Sequence, residues 1–70
     1  MNEKQLATPP EKAIALTIAQ NLIKSSGQKM THNQLKAIHN FIGKLNNSTT
    51  RNKVTIYDCQ KIVNTAKTFS

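Results

Sequence analysis

Residues 8–27, TPPEKAIALTIAQNLIKSSG, decide the fold. The stretch opens on Thr8-Pro9-Pro10-Glu11. A threonine hydroxyl accepts from the free amide hydrogens of a starting helix, and proline fits the first helical position. Glutamate three residues after the threonine completes a capping box. Apolar residues then recur through Ile14, Ala15, Leu16, Ile18, Ala19, Leu22 and Ile23, and Ser25-Ser26-Gly27 ends the run. Gly27 is expected to stop the helix in the left-handed conformation. The prediction is a helix over 9–25. Projected at about 100° per residue, its apolar arc is broad and its polar strip narrow (Thr17, Gln20, Asn21, Lys24). An arc of that width suits a helix gripped on two sides. Ala15 and Ala19, one turn apart, permit close backbone approach there.

The same grammar repeats downstream. Thr31-His32-Asn33-Gln34 reads as a second capping box, and Met30 and Leu35 stand at the spacing of a hydrophobic staple. Leu35, Ile38, Ile42 and Leu45 make one stripe, with Asn33, Lys36, Asn40 and Lys44 behind it, predicting a helix over 32–46. Residues 47–53, NSTTRNK, are wholly polar and read as loop. Thr55-Ile56-Tyr57-Asp58 then offers a third cap, with Val54 and Cys59 as its staple. Ile56, Cys59, Val63 and Ala66 predict a helix over 55–68, with Ile62 and Phe69 on its flank. A short strand over 53–57 competes, because Val-Thr-Ile-Tyr is β-prone. The cap and the following period favour helix.

These elements predict an all-α three-helix bundle with helix 1 central. Residues 1–7 have no periodicity and are expected to form a flexible N-terminal arm; 8–70 form a single helical domain. The expected core is Ile14, Ile18, Leu22, Ile23, Leu35, Ile38, Ile42, Leu45, Ile56, Cys59, Val63 and Ala66. Ile, Leu, Val and Phe make up 16 of 70 residues, just above the level at which disorder becomes the default. A chain of this size draws only a few kcal/mol, roughly 3–5, from a lone core. Cys59 is the only cysteine, so no internal disulfide supplements that core. A homodimer would supply the missing burial.

Charge narrows the function. Ten Lys and Arg face three Asp and Glu, a formal net charge of +7. Lysine and asparagine richness follows from an AT-rich genome, but that bias would enrich glutamate too. The scarcity of acids is therefore the informative half. Such a field draws polyanions and makes their binding salt-sensitive. No apolar run approaches the roughly 20 residues of a membrane-spanning helix. Met1–Ala7 carries no signal-peptide apolar run; a single cysteine with no internal disulfide makes a reducing cytoplasm the expected compartment.

Catalysis has little to draw on. The three acids are scattered, and His32, His39 and Cys59 are the only other tunable groups. Four zinc ligands at metal-site spacing are lacking, and two glycines cannot build a phosphate-cradling loop. No cofactor or metal is expected. His39 is read as a core-edge residue with one ring nitrogen bonded, and Cys59 as a small buried apolar residue.

The function-like features are the outer face of the last helix and the loop before it. Lys61 can meet phosphate, Asn64 can pair with base edges, and Tyr57 can stack or reach phosphate. Thr65 and Thr68 add hydroxyls. Arg51 and Lys53 put two further positive charges at that helix's start, where free amide hydrogens also favour anions. The expected site is therefore Arg51, Lys53, Tyr57, Lys61 and Asn64. The expected activity is non-enzymatic nucleic-acid binding, DNA foremost, by a regulatory or accessory factor. In length and charge the chain is similar to small basic excision and control proteins of phages, plasmids and other mobile elements, whose motifs it lacks. The alternative is an inhibitor or adaptor that docks a helical face, through Leu16, Ile23, Phe41 and Phe69, on an acidic host protein. Gly43, inside the second helix on its polar side, would then mark close approach of a partner backbone.

Overall fold

The computed structural model describes residues 5–69. They form α1 (Pro9–Ser26), a 3-10 turn (Gly27–Lys29), α2 (His32–Asn46), α3 (Ser48–Arg51) and α4 (Ile56–Phe69). The fold is all-α, and the three long helices begin where their caps predict. Thr8 and Glu11 exchange both capping-box bonds, as do Thr31 and Gln34. Thr55 and Asp58 do the same: the Thr55 N–H donates to the Asp58 carboxylate at 3.1 Å, and the Asp58 N–H to Thr55 Oγ1 at 3.2 Å. Each cap contributes about 1 kcal/mol.

Two local expectations are corrected. Gly27 is right-handed, with φ −56°, and the chain runs on into the 3-10 turn instead of stopping at a left-handed residue. The polar stretch 47–53 is not all loop. The Asn47 side chain accepts from the Thr49 N–H at 2.9 Å and opens the single turn α3. Thr50 Oγ1 donates to the Lys44 carbonyl at 2.8 Å and ties that turn to the end of α2. A helix held by caps and a neighbour's carbonyl has no apolar stripe to announce it.

Only part of the expected arm can be placed. Residues 1–4 lie outside the described residues. Residues 5–7 pair with the segment before α4: Ala7 N–H donates to the Val54 carbonyl at 3.0 Å, and Ile56 N–H to the Gln5 carbonyl at 2.8 Å. Leu6 and Thr55 form an isolated antiparallel bridge. The β-prone Val-Thr dipeptide thus does one step of strand pairing before the helix takes over.

α1 packs against both α2 and α4, which make little direct contact with each other. The bridge ties the segments preceding α1 and α4, and the last turns of both helices line one shallow pocket of about 210 Å³ through Ser25, Ser26, Ala66 and Phe69. The two helices therefore run side by side in the same direction, with α2 returning between their ends.

The core is phased differently from expectation. On α1 the innermost residues are Ala15 and Ala19, continued by Leu22 and Ser26, whereas Ile14 is 61% exposed. Two helices pressing on α1 require small residues at the contact, and its wide apolar arc left the phase open. α2 buries Ile38, Phe41 and Leu45, with Leu35 and Ile42 only half-buried. α4 buries Cys59 and Ile62, while Ile18, Ile23, Ile56 and Ala66 pack partly against the core and Val63 is half-buried. The cap-flanking Ala7, Met30 and Val54 complete the interior. Ile38 and Val54 are fully enclosed, each burial stabilising by about 1.5–3 kcal/mol.

Candidate nucleic-acid interface

The first four turns of α4 carry most of the expected site. Tyr57, Lys61, Asn64 and Thr68 fall at i, i+4, i+7 and i+11, so they share the outer face of the helix. Tyr57 is 49% exposed, and the Lys61 ammonium sits over its ring, 5.6 Å from the centroid. That distance is within cation–π range, so the pair forms an exposed unit of positive charge backed by an aromatic face. Thr65 and Thr68 donate their hydroxyls to the carbonyls of Lys61 and Asn64, at 2.9 and 3.1 Å. Their donors are spent on the helix's own backbone, which leaves the exposed Asn64 amide as the face's uncommitted side-chain donor.

Arg51 ends α3 and Lys53 follows in the turn; both side chains are exposed. The turn itself is set by the backbone, Lys53 N–H donating to the Thr50 carbonyl at 2.9 Å and Val54 N–H to the Arg51 carbonyl at 3.4 Å. Packing adds two cations that the sequence reading left out. Lys12, at the start of α1, reaches the Arg51 carbonyl with its Nζ at 3.3 Å. Lys44, in the last turn of α2, stands beside the α3 turn and lines a cleft together with Lys61. Neither is near the loop in sequence, and only the return of α2 toward the start of α1 brings them there.

At this end the described acidic groups bond to helix caps and form no ion pair with these cations. Glu11 accepts from the Thr8 N–H at 2.8 Å and from its hydroxyl at 2.9 Å, and Asp58 is taken up by the Thr55 cap. The Thr8 backbone bond, and then its hydroxyl, hold the Glu11 carboxyl below its ordinary range. Among the described residues none of Lys44, Arg51, Lys53 and Lys61 is locked in an ion pair. Part of the expected anion attraction is used up: the Thr55, Ile56 and Asp58 amide hydrogens at the start of α4 donate to the Asp58 carboxylate, the Gln5 carbonyl and the Thr55 hydroxyl.

The remaining expected residues sort as follows. Phe41 is 5% exposed and belongs to the core, so it is no free docking anchor. Leu16, Ile23 and Phe69 are half-buried against that core, because helices on both sides of α1 claim its flanks. His39 is exposed and makes no hydrogen bond among the described residues, contrary to its expected core-edge role. Cys59 is buried as expected, and burial pushes its thiol up, with Glu11 and then Asp58 adding to the shift and Lys12 opposing it. A Cβ placed on Gly43 would meet nothing, so no contact within this chain demands glycine there. No helix among the described residues is long and apolar enough to cross a membrane.

The cleft beside Lys61 lies between α2 and α4 and has a volume of about 410 Å³. Ala37, Ile38, Phe41 and Ile62 form its apolar floor, and Asn33, Asn40, Lys44 and Thr65 are among its rim residues. No known protein family, curated protein or solved structure matches the chain.

Proposed function

We propose that this is a non-enzymatic basic protein that binds nucleic acid, DNA foremost, as a regulatory or accessory factor of a mobile element, acting in a reducing cytoplasm. One observation carries the reading. Cations from α1, α2, the α3 turn and α4 gather at the end of the molecule where α3 meets α4, beside an exposed tyrosine, and the nearby carboxylates bond to helix caps and not to these cations. Lys12, Lys44, Arg51, Lys53 and Lys61 supply phosphate contacts; Tyr57 and Asn64 supply what selectivity there is. Phosphate contacts fix register and base contacts specify.

A homodimer belongs to the same proposal. The flank of α1 made by Ile14, Ile18, Asn21 and Ser25 carries no charge, so two strongly basic copies can approach there with their cationic ends outward.

The test is a salt titration of binding to a labelled oligonucleotide. With five or six phosphates engaged, log affinity falls against log salt with a slope of roughly −5. A flat response contradicts the proposal.

A further inference from the structure

We propose that two copies of this chain interlock antiparallel through α1 and that the pair bridges two nucleic-acid segments, one at each end. The bridge rests on the function proposed above; the interlocking rests on α1 itself. Ile14 is 61% exposed, the most of any large hydrophobic residue among those described. It stands in line with Ile18, Asn21 and Ser25, at i, i+4, i+7 and i+11 on one flank of the helix.

Farther along that line the surface is hollowed. Ile18, Asn21, Leu22 and Ser25 line the shallow pocket of about 210 Å³, with Ala66 and Phe69 of α4 behind them. Those four α1 positions are i, i+3, i+4 and i+7, the spacing of the four-residue hole that receives a side chain from a facing helix. One flank of α1 thus carries a knob and a hole about two turns apart, roughly 11 Å at 1.5 Å per residue. A two-fold axis near Ile18, midway between them, sets the Ile14 of each copy into the hole of the other. Ile18 then meets the partner's Ile18 on the axis.

Charge fixes the direction. The first turn of α1 holds Glu11 and its last turn Lys24, so antiparallel copies bring each acid to the partner's Lys24. Both Thr8 bonds fall on one Glu11 oxygen, Oε1, and the second oxygen takes the ammonium without breaking the cap. A foreign helix can fill the hole, but only a second copy covers Ile14 and fills the hole in the same contact.

The bridge follows from where the cations lie. Lys12 and Arg51 meet at the end where α1 begins, with Lys53 beside them. Antiparallel pairing sends the two cationic ends in opposite directions, separated by the 18 residues of α1, about 27 Å. A single straight duplex does not serve ends that point apart, whereas two segments do.

The experiment mixes the full chain with two duplexes of about one helical turn each, one carrying a donor dye and the other an acceptor. Sedimentation equilibrium runs alongside. The native chain is expected to sediment at twice its 7.8 kDa and to produce energy transfer between the duplexes. Ile14→Gln removes the knob at an exposed position and leaves the net charge unchanged. It is expected to weaken pairing about tenfold or more and to abolish transfer, with affinity for a single duplex within about twofold and an unchanged circular dichroism spectrum. A native chain that sediments as a monomer overturns the interlocking. Transfer that persists in Ile14→Gln is condensation by charge and overturns the bridge, as does a native pair that binds duplex without transfer. Failure of the nucleic-acid function has its own signature: the chain pairs, neither duplex binds, and the bridge falls with that function.

Discussion

α4 has two neighbours and treats them differently. Toward α1 the contact is closed: Ala15 and Ala19 let the backbones approach, and the Leu6–Thr55 bridge ties the leading segments together. Toward α2 it is open, leaving a cleft of about 410 Å³ rimmed by asparagine, lysine and threonine. The closed side holds the fold together, and the polar groups that packing did not consume collect on and around the open side. Under the proposed function, stability and recognition fall on opposite flanks of one helix.

Substitutions can break this contrast. Ile38 sits where α2 meets the shared core and is 1% exposed. Ile38→Ala is expected to cost about 2–5 kcal/mol, comparable with the whole stability of so small a domain, and urea denaturation should find the chain largely unfolded. The same enlargement made on each flank should then separate them. Ala19→Leu, at a fully buried contact, is expected to cost about 1–3 kcal/mol through overpacking. Ala37→Leu, in the open cleft, should change stability by less than about 0.5 kcal/mol. Similar costs for the two would mean that the α2–α4 side is as tightly packed as the other.

Thr8→Ala is expected to cost about 1 kcal/mol by removing the α1 cap. The partner carboxylate gives this cap a pH signature. Glu11 is held below its ordinary value of 4.5 by the Thr8 hydrogen bonds, so its ionised form favours the fold. That contribution is present above the ordinary value and is lost as pH falls through the lowered one. Tm should therefore drop on acidification, and Glu11→Gln should flatten the drop. The smallest effect is a gain. Gly43 is exposed with open space where a Cβ would stand, and Gly43→Ala is expected to stabilise by about 0.4–1 kcal/mol in thermal melts, with oligonucleotide affinity unchanged.

The helices were legible because their starts are written locally, in Thr8–Glu11, Thr31–Gln34 and Thr55–Asp58. Their rotation was not. Apolar residues cover so much of α1 that Ile14 and Ala15 were equally good candidates for the interior, and only the presence of two close neighbours selects the alanines. The α3 turn escaped notice because Asn47 and the Lys44 carbonyl hold it, not apolar burial. At the site, the shared face of Tyr57, Lys61 and Asn64 follows from helical spacing alone. Lys12 and Lys44 join it through tertiary packing, for which no stretch of the chain carries a signal. Of the amide hydrogens expected to attract an anion, those of Thr55 and Asp58 are taken by the local cap and that of Ile56 by Gln5, the last a pairing that depends on the leading segment folding back.

The central claim is that positive charge acts by its placement at the α3–α4 end and not by its total. Two triple variants separate these, each lowering the formal net charge from +7 to +4. One carries Arg51→Ala, Lys53→Ala and Lys61→Ala; the other carries Lys24→Ala, Lys29→Ala and Lys36→Ala, at exposed positions near the opposite end. Measured by oligonucleotide binding across a salt series, the first should move the log–log slope from roughly −5 toward −2, and the second should leave it near −5. Equal losses of slope in both variants would contradict the account.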